Sequence, residues 1–325
     1  MDPVHYEVNS NIPLIRDYSD RIKQGIASVM VGQERMVELL LTALLADGHV
    51  LIEGVPGIGK TLMVKLLSKS MHLAFSRIQF TPDLMPADIL GTTIFHPKLG
   101  EFQFNKGPIF SNLILIDEIN RAPAKTQSAL FEVMEEKQIT IDGQSWILPP
   151  PFMVVATQNP VEYEGTYRLP EAQLDRFLIK INIHYPKLEE EIEILNRFHQ
   201  NRQEVLLDKV ASVVDGNALL SLRSLVNQQK VSPEMIRYIA IIVHHTRVNK
   251  HLFLGASPRA SLALLNASKA FSVLQGRDFV VPDDVKNIGK EVLRHRIQLS
   301  PEKELEGKTT DDVITAIFNQ IEVPK

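Results

Sequence analysis

Residues Gly54–Thr61 read GVPGIGKT, which matches the spacing G-x-x-x-x-G-K-[ST] of a loop that cradles phosphate. Each fixed position has a physical reason. Gly57 and Gly59 permit backbone conformations that turn successive N–H groups inward, making a nest for anionic oxygens. A helix starting near Lys60 adds the positive end of its dipole. Lys60 then has the length to reach β- and γ-phosphates, and the Thr61 hydroxyl is of the kind that ligates magnesium. The bland reading is a glycine-rich turn joining two elements. It is the weaker one, because the motif closes an apolar run, His49–Val55, and opens a helical pattern, Leu62–Met71. The candidate nucleotide-binding residues are Gly54, Pro56, Gly57, Ile58, Gly59, Lys60, Thr61 and Leu62.

Outward from this loop, short β-rich runs alternate with helical stretches as far as about residue 186. The runs are His49–Val55, Arg77–Phe80, Leu113–Asp117, Phe152–Thr157 and Phe177–His184. Helical patterns include Glu34–Ala46, Leu62–Met71 and Lys125–Glu136. Nearly continuous apolar runs are how parallel strands covered on both faces read. The alternation therefore predicts an α/β core with a mostly parallel sheet and helices on both faces.

Two hairpins interrupt that core. Thr92–Phe95 and Glu101–Phe104 flank HPKLG, and Gln138–Ile141 and Gln144–Leu148 flank Asp142-Gly143, a favoured hairpin turn. Beyond Pro186, Leu188–Gln200, Leu219–Val226, Pro233–Val248, Pro258–Leu274 and Pro282–Arg296 read as helices, several opened by proline. The expected organisation is a helical extension over 1–28, an α/β nucleotide-binding domain over 29–186 with two inserted hairpins, and an all-helical domain over 187–325.

A second apolar run, NLILIDEIN over Asn112–Asn120, ends in two acids. Open α/β sheets bind ligands at the carboxyl ends of their strands. Asp117 is therefore a candidate metal ligand beside Thr61, and Glu118 a candidate to orient and polarise an attacking water. A third run, FMVVATQN, ends in Asn159, which alone would be an ordinary turn former.

Composition narrows the class without deciding it. The chain has 325 residues, 44% hydrophobic and 23% charged, as in an ordinary globular protein of about two domains. Lys plus Arg is 35 against 39 for Asp plus Glu, a net charge of −4 that lacks the basic excess of a nucleic-acid-gripping protein. With no cysteine, disulfide frameworks and thiolate metal sites are excluded. The start MDPVHYEVNS lacks a basic-then-apolar secretory pattern, and no apolar stretch approaches the ~18 residues of a membrane span. A cytoplasmic location is expected. His244-His245 and His295 lie in helical patterns without a metal-type set of partners.

Taken together, GVPGIGKT, LILIDEINRAPAKTQSALFEVMEE, VVATQNPVEYEGTYRLPEAQLDRF and GASPRA resemble the MoxR family of AAA+ ATPases, over about Val31–Arg296. MVGQE at Met30–Glu34 is similar to the family's segment beside the adenine. The two hairpins are similar to the inserts that define the helix-2-insert clade. The resemblance implies ATP and Mg2+ as cofactors, with Asp117 and Glu118 as the Walker B pair and Asn159 as sensor 1. It makes Arg176 of LDRF an arginine finger for a neighbouring subunit, and Arg259 of SPRA the sensor-2 arginine of a helical lid. ATP would then lie between core and lid. A homo-oligomeric, hexameric ring and chaperone-like work on partner proteins, often with von Willebrand factor A domains, are further implications. Arg121 stays open between an interface role and a pairing with Glu118.

Three rivals are weaker. A DNA motor of the related Mcm type predicts basic hairpins, yet the first carries only Lys98 and Lys106, and the second none between Lys137 and Leu148. A nucleotide-gated scaffold without hydrolysis conflicts with an intact Glu118 and Arg176. A guanine-specific switch lacks its aspartate, since Asn249-Lys250 is followed by His251-Leu252.

Overall fold

The computed structural model describes residues 12–324 apart from 56, 160–166, 168 and 201–209. Pro56, one of the candidate loop residues, therefore lies outside the described residues, as does much of the PVEYEGTYR stretch. By internal contacts the chain forms two compact units. One takes in Ile22–Leu40 and Asp47–Leu220; the other takes in the described residues of the N-terminal segment up to Arg21, Leu41–Ala46 and Ser221 onward. The units are thus not contiguous in sequence.

In the first unit the chain runs β1 (Val50–Glu53), β2 (Phe75–Gln79), β3 (Gly91–His96), β4 (Glu101–Lys106), β5 (Leu113–Asp117), β6 (Gln138–Ile141), β7 (Gln144–Ile147), β8 (Met153–Gln158) and β9 (Ile179–Asn182). Helices α1 (Ile12–Ala27) and α2 (Glu34–Leu45) begin the chain and contribute to both units. The remaining helices here are α3 (Lys60–Ser70), α4 (Pro86–Leu90), α5 (Ala124–Glu136), α6 (Glu171–Leu174) and α7 (Leu188–Gln200). Five strands form one sheet in the order β2-β5-β8-β1-β9, every pair parallel. All five residues of β5 and the first five of β8 are buried, which explains why these strands read as unbroken apolar runs. The expected α/β core is what the chain forms.

His49, just before β1, shows how the lower edge of the sheet is tied. Its Nδ1 accepts from the Val154 N–H at 3.0 Å, so its Nε2 donates to the Met134 carbonyl at 3.0 Å. Asn112 plays a similar part, donating to the Pro149 and Pro151 carbonyls at 3.2 and 3.0 Å. The prolines donate nothing, and β8 begins only after them.

Both inserted hairpins are present. Asp142 and Gly143 have φ of 53° and 76°, the two positive values that a tight type I′ turn needs. The hairpins lie against each other: Thr93 Oγ1 donates to Asp142 Oδ2 at 2.6 Å, and the Phe104 and Trp146 rings are 4.9 Å apart. A groove of about 720 Å³ between them is lined by Leu90, Thr92, Phe102 and Ile141 among others. The first hairpin leaves Phe95, Leu99 and Phe102 more than half exposed, at 52%, 59% and 72%.

The second unit contains α8 (Gly216–Asn227, which begins in the first unit), α9 (Pro233–Val248), α10 (Pro258–Leu274), α11 (Pro282–Leu293), α12 (Pro301–Leu305) and α13 (Thr310–Gln320). It is not purely helical, since β10 (Leu252–Leu254) and β11 (Gln298–Leu299) form a two-stranded ribbon. Strands of three and two residues, joined only through α10 and α11, carry no periodicity that a sequence pattern can register. A reciprocal cap opens α13: Thr309 accepts from the Asp312 N–H at 3.2 Å while Asp312 accepts from the Thr309 N–H at 2.9 Å. Among the described residues no helix is long and apolar enough to cross a membrane.

Candidate active site

Because β1, β5 and β8 are adjacent and parallel, their carboxyl ends share one edge of the sheet. The GVPGIGKT loop leaves β1 there, Asp117 and Glu118 end β5 there, and Asn159 follows β8 there, nearly buried at 9% exposure. Topology therefore brings together three segments that lie far apart in the sequence.

In the loop, Gly57 and Gly59 have φ of 86° and 82°, the left-handed region that only glycine enters without strain. Gly59 is also the residue from which α3 springs, so the first N–H groups of that helix open toward the loop. Lys60 begins α3 and folds back: its Nζ donates to the Gly54 carbonyl at 2.6 Å. Burial lowers its pKa from the ordinary lysine value, while Asp117 and Glu118 act in the opposite sense. Ile58 packs toward Gly54, and Thr61 and Leu62 are partly buried in the first turn of α3.

Asp117 is 8% exposed, and both of its oxygens are engaged. Oδ2 accepts from Arg77 Nε at 2.7 Å, and Oδ1 accepts from Thr157 Oγ1 at 3.2 Å. The same Thr157 hydroxyl accepts from the Glu118 N–H at 3.0 Å, so it ties the ends of β5 and β8 together. Glu118 itself takes φ 58° and ψ 52°, a left-handed conformation that costs a non-glycine residue roughly 1–2 kcal/mol. The turn directs its carboxylate to Gln79 Nε2 at 3.0 Å and to Arg121 Nε at 2.8 Å. Of the two readings open for Arg121, pairing with Glu118 is the one observed.

Arg176 is elsewhere. Its Nη1 donates to the Phe131 carbonyl at 2.8 Å and pairs with Glu135, both on α5. It precedes β9, whose first residue Ile179 pairs with Val50 at the start of β1. The guanidinium therefore lies at the amino edge of the sheet and the loop at the carboxyl edge. Four strand residues, about 13 Å at ~3.3 Å each, separate these edges. Arg259 stands in the first turn of α10, one residue after Pro258, in the second compact unit.

Three site residues were not singled out by sequence: Arg77, Gln79 and Thr157. Arg77 and Gln79 alternate with buried Ile78 on β2, and a charged residue inside a strand is a signal, but its target depends on β2 lying beside β5. A carboxylate, a lysine and a row of helix-terminal N–H groups around one edge suit a phosphate ester held with a divalent cation. The cation's fit is supported by Asp117 already holding a cationic group, Arg77.

Comparison with known proteins agrees. Residues 49–179 match the ATPase family associated with various cellular activities (AAA), and residues 244–317 match an AAA lid domain. The chain is 46% identical to the uncharacterized protein YeaC of Bacillus subtilis over 93% of each sequence. It is 42% identical to Chaperone MoxR1 of Mycobacterium tuberculosis, covering 92% of this chain and 81% of that protein. It is also 30% identical to protein MoxR of Methylorubrum extorquens, covering 95% of this chain and 96% of the relative. Among solved structures, a candidate ATPase from Cytophaga hutchinsonii superposes with a TM-score of 0.90 at 42% identity, covering 97% of both chains. The chain belongs to the MoxR family of AAA+ ATPases.

Proposed function

We propose that this ATPase is magnesium-dependent and couples hydrolysis to remodelling of partner proteins, working as a homo-oligomeric, hexameric ring in the cytoplasm. The observation that carries the reading is the shared carboxyl edge at which Lys60, Asp117, Glu118 and Asn159 gather. Lys60 and the N–H groups of Gly57–Thr61 bind the phosphates, with Gly54, Ile58 and Leu62 shaping the cradle. Thr61 and Asp117 would hold Mg2+, which when bound supplies charge neutralisation across the phosphates. Glu118 orients and deprotonates the attacking water, Asn159 steadies that water, and Arg176 and Arg259 contribute charge to the transferred phosphoryl group.

A ring is favoured because Arg176 faces away from its own loop, so it can serve only a loop on another copy. Head-to-tail contacts of that kind close into rings where the rotation between copies closes. The exposed Phe95, Leu99 and Phe102 on the first hairpin favour a protein client over a nucleic acid. A client bearing a von Willebrand factor A domain follows from the relatives' family alone. MoxR1 of M. tuberculosis is named a chaperone, and the same role is proposed here.

The reading is tested on Lys60. Lys60→Ala is expected to abolish ATP binding in calorimetry, since it removes the one charge that the loop brings to the phosphates. An unchanged affinity would sink the assignment of Gly54–Thr61.

A second test uses the lowered Lys60 pKa. In the free protein Lys60 loses its proton at lower pH than an ordinary lysine, and bound phosphate would restore it. ATP binding should therefore take up protons on the alkaline side, at lower pH than an ordinary lysine would require, and weaken as the pH rises further. Calorimetry in two buffers of different ionisation enthalpy reads the uptake directly. No uptake in the wild type would mean that Lys60 does not meet the phosphates.

A further inference from the structure

The edge strand β2 carries two polar residues that meet the two acids of β5. Arg77 and Gln79 are two apart and so point to the same face of the sheet, Arg77 to Asp117 and Gln79 to Glu118. The two contacts differ in kind. Gln79 brings a neutral amide to a part-exposed carboxylate, whereas Arg77 brings a full positive charge to a carboxylate that is 8% exposed.

A carboxylate removed from water needs a counter-charge, and without one it is strongly destabilising. Asp117 therefore needs a cation whether or not a metal is present. Lys60 acts on Asp117 only through space, its amine donating to the Gly54 carbonyl at 2.6 Å, and Thr157 supplies only a hydroxyl. The full ion pair to Asp117 is from Arg77, whose side chain is 51% exposed and so has room to swing out. The Asp117 oxygen that Arg77 holds at 2.7 Å is one of two, and the other already accepts from Thr157.

We propose that Arg77 is a stand-in for the divalent cation: it neutralises Asp117 through their ion pair and must give up that carboxylate when a metal-bound nucleotide enters. The inference rests on the assignment of Asp117 to the metal. It adds a positioning residue, Arg77, whose release accompanies loading of the site. An ion pair that served only to hold the edge strand would affect stability but would be indifferent to the metal.

The test is the ratio of nucleotide affinity in Mg2+ to that in EDTA, read by fluorescence of a labelled ADP, so that turnover plays no part. In Arg77→Ala, metal-bound ADP no longer has to break an ion pair, and its affinity rises. Metal-free ADP instead meets an uncompensated Asp117 and binds more weakly. The ratio should therefore grow about fivefold, the upper range for a partly exposed pair, with Arg77→Lys intermediate because it keeps charge without the planar fork. A ratio unchanged in a folded Arg77→Ala protein overturns the proposal.

Should Arg77→Ala fail to fold, the wild type gives its own reading. The Nε–H resonance of Arg77, identified by its loss in Arg77→Lys, should shift on adding ADP with Mg2+ and not on adding ADP in EDTA. A resonance that responds identically to both overturns the proposal. If wild-type protein bound ADP in neither buffer, the nucleotide site itself would fall, and the proposal with it. If binding depends on Mg2+ and the ratio does not move, only the role of Arg77 falls.

Discussion

Glu118→Gln is expected to bind ATP within about twofold of the wild type and to turn it over roughly 10²–10⁴ times more slowly. The amide keeps the length and shape of the side chain and can still accept from Gln79, so the left-handed turn at Glu118 should survive. What it loses is the negative charge that polarises a water and takes its proton. Phosphate release under saturating ATP gives the rate, and a fluorescent ATP analogue gives the affinity. Turnover that survives within a few-fold would show that Glu118 is not the group that activates water.

The present pairing of Glu118 sharpens that expectation. Both of its contacts fall on one carboxylate oxygen, Oε2, which pairs with Arg121 at 2.8 Å and accepts from Gln79 at 3.0 Å. The lone protomer thus has its charged groups satisfied internally: Asp117 by Arg77, Glu118 by Arg121, and Arg176 by Glu135.

The parts of this site that were legible in sequence are those whose chemistry demands a fixed local spacing. Phosphate needs Gly57, Gly59, Lys60 and Thr61 within a few residues of one another, and the two acids at the end of β5 are neighbours. The hairpin at Asp142-Gly143 was legible for the same reason, since two consecutive positive φ values select few residue pairs. Arg77, Gln79 and Thr157 act across the sheet, and their partners follow from the order β2-β5-β8-β1-β9, which no local pattern records. The ribbon β10–β11 escaped for a related reason: each strand is too short to show alternation, and its partner is distant. Arg176 stands between these cases. The LDRF motif marked it, but that it points away from its own loop depends on β9 running parallel to β1.

That direction carries the second large effect. Arg176→Ala should leave ATP affinity nearly unchanged while lowering turnover, by roughly 10³–10⁵ if it behaves as arginine fingers generally do. Affinity persists because Arg176 lies at the opposite edge of the sheet from Lys60 and contributes nothing to its own loop. The loss of rate follows from removing a planar, permanently charged group that can pair with two phosphoryl oxygens at once. Mixing decides whether the group acts on another copy. Arg176→Ala and Lys60→Ala should each be inactive alone, one for want of a finger and the other for want of bound ATP. In a mixed assembly an intact loop from the first mutant can meet an intact Arg176 from the second, and activity should return in proportion to such junctions. Exchange of subunits is followed separately by energy transfer between labelled copies. If labelled subunits exchange and no activity returns at any ratio, Arg176 does not complete a neighbour's site, and its contacts with Phe131 and Glu135 are then simply those of a structural arginine closing the base of α5.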